Sequence, residues 1–411
     1  MYPMKSIRNF TFLALLLSIS LYSCKDRESS TSEENEADQY IAEVKNEYAP
    51  DSRVALFDVQ ANEEGEVYIL KGESNMPEAV SSLKQKLDAQ KIAYKDSIAL
   101  LPSADLEGKT EGVVKISVAN LRSKPRHSAE LVTQATMGMP VKVYKKDGGW
   151  YYIQTPEGYL AWVDYGGITP MTPQDLNEWK ATDKLIYLHT AGSSYEKPNE
   201  NSQVISDLVA GNVLELVGEN GRFYEVKYPN DKTAFVKKEE AQAYEQWLST
   251  LEPTGENLIA TAREMMGVPY LWGGTSPKGV DCSGYTKTIF FLNGMVLPRD
   301  ASQQIVAGQE IDSVKNFENL KAGDLLYFGR KATDTTSERI IHVGMWIGDN
   351  KFIHSMGEVH ISNFDTTATD FDEYNYNRYL RTKRVLGTND EKIIYLAQSD
   401  LFTEDNTDFK K

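Results

Sequence analysis

Set against itself at an offset of 73 residues, this chain repeats, and that repeat limits what its middle third can become. Pro125, Gly138, Gly148, Tyr151, Pro156, Ala161 and Val163 fall on Pro198, Gly211, Gly221, Tyr224, Pro229, Ala234 and Val236, with Trp150 on Phe223. Matches that fall on turn residues and on strand-forming residues imply two copies of one small fold built from short strands. The first copy opens with Ala119-Asn120-Leu121-Arg122-Ser123-Lys124-Pro125 and carries Gly158-Tyr159-Leu160-Ala161-Trp162-Val163 later. The second lacks both signatures, which makes it the weaker candidate for ligand contact.

The 411 residues exceed one hydrophobic core, so two to four domains are expected. At the amino terminus, Lys5 and Arg8 precede an apolar run over 10–21, too short for a membrane span, which ends in Leu21-Tyr22-Ser23-Cys24. A small residue before Cys24 suits lipoprotein signal peptidase. Residues 1–24 are therefore read as a lipoprotein signal with Cys24 lipidated, the alternative being an ordinary cleaved signal. Either way the protein leaves the cytoplasm; as a lipoprotein it is expected to be anchored in the bacterial cell envelope, facing the periplasm or on the outer membrane. The polar run SSTSEENEAD makes 25–38 a disordered tether. Residues 39–108 read as a small α/β module with strands at 54–59 and 66–70 and a helix over 78–90; it packs or spaces the others and is assigned no chemistry. The repeat units fall at 109–172 and 173–248, a further domain at 249–386, and an acidic tail of surface packing and disorder at 387–411.

Once Cys24 is set aside, Cys282 is the one remaining cysteine. No intramolecular disulfide is then available, and a single thiol kept in an exported protein favours catalysis. It closes the stretch PYLWGGTSPKGVDCSG at 269–284 and is followed by YTKTIFFLNG, with Tyr285, Ile289 and Leu292 on one face. That pattern is a loop entering a helix which Cys282 caps or opens, where the helix dipole and free N–H groups lower a thiol's pKa and hold an oxyanion. The base must come from five histidines, His127, His189, His342, His354 and His360. A strand over 341–347, a turn at 348–350 and a returning strand from 351 bring two of them to one hairpin. His342 is then set to take the thiol proton and His354 to orient its ring. No cofactor is expected, and no metal, because these histidines are committed to the thiol and no third ligand clusters with them.

At these residues the chain resembles the NlpC family of papain-like bacterial cell-wall peptidases. The resemblance covers residues 254–385 and rests, in order, on Pro269-Tyr270-Leu271-Trp272-Gly273-Gly274, Asp281-Cys282-Ser283-Gly284, Leu297-Pro298-Arg299-Asp300, Ala322-Gly323-Asp324-Leu325, His342-Val343-Gly344 and Phe352-Ile353-His354. It implies a triad of Cys282, His342 and His354, with the Tyr270 hydroxyl stabilising the oxyanion beside the Cys282 N–H. The repeat units resemble bacterial SH3-type barrels. The expected architecture is multidomain: a small α/β amino-terminal module, two all-β SH3-like barrels and an α+β papain-like catalytic domain.

Such a centre does not say which bond is cut. Family members with amino-terminal SH3-type barrels include endopeptidases for the γ-D-glutamyl to L-diamino acid bond of murein peptides, which require a free amino-terminal L-Ala. By that resemblance Asp281 and Ser283 hold the ammonium and Tyr159 of the first barrel closes the pocket. The subgroup's barrel carboxylate stands just before a Thr-Gln pair. Here Val132 precedes Thr133-Gln134, and Glu130, on the same strand face, substitutes. Asp300 is read as a ligand or a turn cap, and Trp272 as pocket wall or loop packing. The expected function is hydrolysis of freed murein peptides for recycling. The alternatives are a wall-lytic endopeptidase anchored by its barrels, or a non-catalytic lipoprotein that binds wall peptides, which would have no need of the thiol. With 44 Lys and Arg against 60 Asp and Glu, a net charge of −16 argues against nucleic acid and against electrostatic attachment to anionic lipid. The expected partners are the murein peptide and, through the lipid anchor, the membrane, with the chain a monomer.

Overall fold

The computed structural model describes residues 35–404; the expected signal, Cys24 and most of the expected tether lie outside them. Helix Glu36–Tyr48 starts inside the stretch expected as tether. The Asn35 side chain accepts the Asp38 N–H at 2.9 Å, and Ala37, Ile41 and Val44 are buried at helical spacing. This helix and Pro77–Ala89 share a core with a three-stranded sheet. There Val67–Ser74 pairs antiparallel with Phe57–Glu64 and parallel with Tyr94–Leu100. The strand expected at 54–59 begins only at Phe57. The Tyr94–Leu100 strand, which has no buried residue, lacks the alternation that would betray it.

The 73-residue offset governs the backbone as well as the sequence. Glu111–Val114, Pro140–Asp147, Trp150–Gln154 and Leu160–Asp164 recur as Lys184–Tyr187, Val213–Asn220, Phe223–Lys227 and Thr233–Lys237. The two seven-stranded sheets share one strand order. Each copy ends in a helix, Pro173–Lys180 and Tyr244–Thr250, so the boundary expected at 173 moves past the first of these. Thr172 caps that helix, and its Leu176 and Trp179 enter the core of the first copy. Neither sheet closes into the expected barrel. In the first, the outer edge of Leu131–Thr136 is taken by the catalytic domain: the Thr275 N–H donates to Gln134 Oε1 at 3.0 Å and the Thr275 hydroxyl to the Gln134 carbonyl at 2.9 Å.

The catalytic domain sets helix Cys282–Phe291, buried along its whole length, against an antiparallel six-stranded sheet. The sheet runs Gln309–Asp312, Tyr379–Arg384, Leu325–Arg330, Arg339–Gly348, Lys351–Met356, Glu358–Asn363. Covered on all sides, the helix buries Ser283, Thr286, Lys287 and Thr288 beside its apolar residues, and the Thr286 and Thr288 hydroxyls donate to buried acceptors. The acidic tail is more than surface packing. Ile394–Tyr395 pairs with Met295–Val296, and Leu396 and Phe402 are buried, Phe402 lying edge-on to Phe291.

Candidate active site

One carboxylate builds the turn that presents the thiol. Asp281 Oδ1 accepts the Gly284 N–H at 2.7 Å and Oδ2 the Gly273 N–H at 3.0 Å, capping the helix and tying the glycine loop to it. Gly284 is obligatory, because a Cβ there would run into the Gly274 carbonyl. Cys282 is thus the first residue of the helix, where its N–H has no intrahelical acceptor. Its thiol is buried, and burial followed by the Asp281 charge pushes it up to about 12. The expected lowering by the helix terminus is overturned: desolvation of a thiolate outweighs the terminal partial charge. At rest the thiol is protonated and needs a base at the moment of attack.

His342 and His354 stand on adjacent strands, with His342 Nε2 and His354 Nδ1 2.7 Å apart. Gly344 makes room for them, since a Cβ there would meet the Phe352 ring and His354 Cβ. Burial, then the charge of His354, holds His342 well below the usual imidazole range; burial, then His360, holds His354 at about 3. Both rings are neutral. The Val343 N–H reaches the Cys282 sulfur, so the thiol lies against the residue that follows His342. With Nε2 occupied, Nδ1 is the His342 nitrogen left for the thiol. Beyond His354 the contacts continue through residues that the sequence did not single out. His354 Nε2 is 3.0 Å from Ser362 Oγ, and the Ser362 hydroxyl donates to Asp372 Oδ2 at 2.6 Å.

In front of Cys282 lies a cavity of about 580 Å³. Tyr270, Trp272, Asp281, Ser283 and Asp300 line it from the catalytic domain, and Glu130, Val132 and Tyr159 from the first SH3-like unit. Every expected substrate-binding residue is therefore brought to one place, and no residue of the second repeat unit lines it. Trp272 Nε1–H donates to Glu130 Oε1 at 2.8 Å, and the Tyr159 hydroxyl to Asp300 Oδ2 at 3.3 Å. Asp300 is also the N-cap residue of helix Ala301–Gln304, its N–H donating to Gln303 Oε1 at 3.1 Å. Burial, then the proximity of Cys282, raises the Tyr270 hydroxyl above its ordinary value and keeps it a donor.

Two arginines change the electrostatics. Arg299, fully buried, donates to Asp281 Oδ2 at 2.6 Å and Oδ1 at 3.2 Å, to Ser283 Oγ at 3.1 Å and to Thr133 Oγ1 at 2.8 Å. Asp281 thus reaches the cavity already capped and paired, and the Thr-Gln pair of the first SH3-like unit docks that unit onto the catalytic domain. Arg299 was legible as part of Leu297-Pro298-Arg299-Asp300, but not its partners. Arg53 belongs to the module assigned no chemistry, yet it lines the cavity. It donates to Asp300 at 2.6 Å and Ser302 Oγ at 2.9 Å while Asp51 grips its other face at 2.8 Å. No sequence signal marked it. Among the described residues no group of three or more His, Cys, Asp or Glu is arranged to hold a metal ion.

Comparison with known proteins bears on the same elements. The NlpC/P60 family model matches residues 267–380 and the bacterial SH3 domain model residues 117–169. The chain is 32% identical over 234 residues to a gamma-D-glutamyl-L-lysine dipeptidyl-peptidase of Bacillus cereus, covering 55% of this chain and 67% of that protein. It is 30% identical over 231 residues to the protein of the same name from Bacillus subtilis, covering 54% and 71%. A crystal structure of an NlpC/P60 family protein from Bacillus cereus superposes with a TM-score of 0.57 at 25% identity, over 67% of this chain and 99% of that one.

Proposed function

This chain belongs to the NlpC/P60 family of peptidases, and from that premise we propose that it is a cysteine endopeptidase acting on murein peptides with a free amino-terminal L-Ala, cutting the γ-D-glutamyl to L-diamino acid bond. The observation that carries this reading is that Tyr159 and Glu130 of the first SH3-like unit line the same cavity as Cys282. Glu130 Oε2, with no partner drawn from the described residues, and the Tyr159 oxygen lone pairs are acceptors for an ammonium; Asp281 and Ser283 form the adjoining wall. Burying an ammonium is tolerable only when it is paired and hydrogen-bonded, so an acylated or glycan-linked amine loses these contacts and meets the SH3-like unit.

In this mechanism His342 Nδ1 takes the thiol proton as the Cys282 sulfur attacks the amide carbon, and the carbonyl electron pair moves to oxygen. The Tyr270 hydroxyl and the Cys282 N–H hold the oxyanion. Its collapse breaks the C–N bond, the leaving amine takes the proton from His342, and water then hydrolyses the thioester with His342 again as base. We place the enzyme in the cell envelope, anchored through a lipid on Cys24, in recycling of freed peptides.

The test compares hydrolysis of L-Ala-γ-D-Glu-diaminopimelate, the same peptide acylated at its amine, and intact murein. The free peptide is expected to be strongly preferred. Comparable rates on all three would overturn the reading in favour of a wall-lytic enzyme.

A further inference from the structure

A triad whose third member is a histidine has an ambiguity that an asparagine or aspartate would not leave. A neutral imidazole carries its proton on either nitrogen, and only one choice makes the partner a base. If His354 held its proton on Nδ1, it would donate to His342 Nε2, force the His342 proton onto Nδ1 and point an N–H at the thiol. The site would then be inert. What lies beyond His354 decides this. Asp372 is held below the usual carboxylate range although burial opposes this, because the Ser362 hydroxyl and Asn375 donate to it. Its Oδ2 accepts from Ser362 Oγ at 2.6 Å and from Asn375 Nδ2 at 2.5 Å, and its Oδ1 from the Asn375 N–H at 2.9 Å.

A carboxylate only accepts, so Ser362 must donate its single proton to Asp372. The Ser362 oxygen is then an acceptor towards His354 Nε2, 3.0 Å away, which must carry the His354 proton. His354 Nδ1 is left as a lone pair, and the 2.7 Å contact requires His342 Nε2 to be the donor. His342 Nδ1 is therefore a lone pair, on the ring nitrogen that His354 leaves free for the thiol. We infer that Ser362 and Asp372 are positioning residues that set the direction of the hydrogen bonds running from Asp372 to His342, and thereby make His342 a base. The other charged or titratable groups facing His354 and His342 are His360, with ring centroids 4.4 Å from His354, and Arg378. Neither accepts from Nε2 of His354.

Asp372→Asn tests the direction itself. If the new amide keeps its carbonyl oxygen on the Asn375 N–H, its NH2 faces Ser362, whose hydroxyl turns to donate to His354, and both imidazoles are driven into the inert tautomer. Ser362→Ala removes the link without reversing it, and Ser362→Thr restores it. The substrate is the free tripeptide, or, independently of any substrate, the rate of Cys282 alkylation by iodoacetamide. Ser362→Ala should lower kcat about tenfold to a hundredfold with KM within about twofold, Asp372→Asn more, and Ser362→Thr should recover most of it. Selective 15N-histidine labelling reads the tautomers directly, with only five histidines to assign. His342 and His354 should both carry Nε2–H in the native protein and both lose that pure state in Asp372→Asn. A His354 proton found on Nδ1 in the native protein would overturn the inference, as would unchanged alkylation rates in both variants. Because alkylation and tautomer need no peptide, a wrong substrate assignment would leave these outcomes intact.

Discussion

Arg299 shows how far a single buried side chain changes the electrostatics of a cavity. Asp281 and Asp300 suggest a strongly negative pocket, but Arg299 is 1% exposed and lies 2.6 Å from Asp281, and Arg53 does the same for Asp300. Removing one partner of a buried pair leaves an uncompensated charge, so Arg299→Met should cost about 3–5 kcal/mol in denaturant unfolding. Cys282→Ala should abolish peptide hydrolysis while circular dichroism stays unchanged; substantial residual turnover would sink the nucleophile assignment. The histidines give a pH signature. His354 titrates near 6.5 when unfolded and at about 3 when folded, so below 6.5 the unfolded state binds the extra proton and stability falls with falling pH. Between pH 6.5 and 5 the loss from His354 is on the order of 2 kcal/mol, with His342 acting in the same direction. Chemical denaturation across that window should show this slope, and His354→Asn should flatten it.

Among the elements, the repeat strands were the most legible, because turn glycines and prolines punctuate them locally. The nucleophile helix was legible at its start, from Asp281-Cys282-Ser283-Gly284, and beyond it from Tyr285, Ile289 and Leu292 on one face. The tail was the least legible. Phe402 sits among acidic residues and Leu396 in a short apolar stretch, neither with a clear period, yet Phe402 fills a slot between Phe291 and Tyr244. Phe402→Ala should therefore destabilise the protein by about 3–5 kcal/mol in a urea titration while kcat/KM stays within about twofold, since the slot is remote from the cavity. A stability unchanged by this substitution would mean that the tail does not dock in solution.

For the whole molecule, the cavity is a junction of parts rather than a property of one domain. Arg53 ties the amino-terminal module to Asp300, and the Arg53 carbonyl accepts the Leu160 N–H at 2.7 Å, which steadies the strand beside Tyr159. Arg53→Ala should raise KM for the free-amine peptide roughly tenfold, the worth of a charged hydrogen bond, and narrow its preference over the acylated peptide. Lys145 also bridges to that module, through Glu73 at 2.5 Å, but away from the cavity. Lys145→Ala serves as the control: equal loss of preference in both variants would reduce Arg53 to a docking contact. Tyr159→Phe removes only a hydroxyl and should reproduce the KM effect without the change in Asp300 pairing to Arg53.

The chemistry of the centre was written in local order. A helix start with a cysteine after an aspartate, a tight hairpin carrying two histidines, and a 73-residue repetition each depend on neighbours in sequence, so the residues themselves disclose them. The thiol's raised pKa, the pairing of Asp281 with Arg299, the entry of Arg53 into the cavity and the Ser362–Asp372 end of the histidine chain were decided only by folding. Each depends on desolvation or on contacts that only the folded path of the chain creates, and neither burial nor such a partner leaves a mark in local spacing.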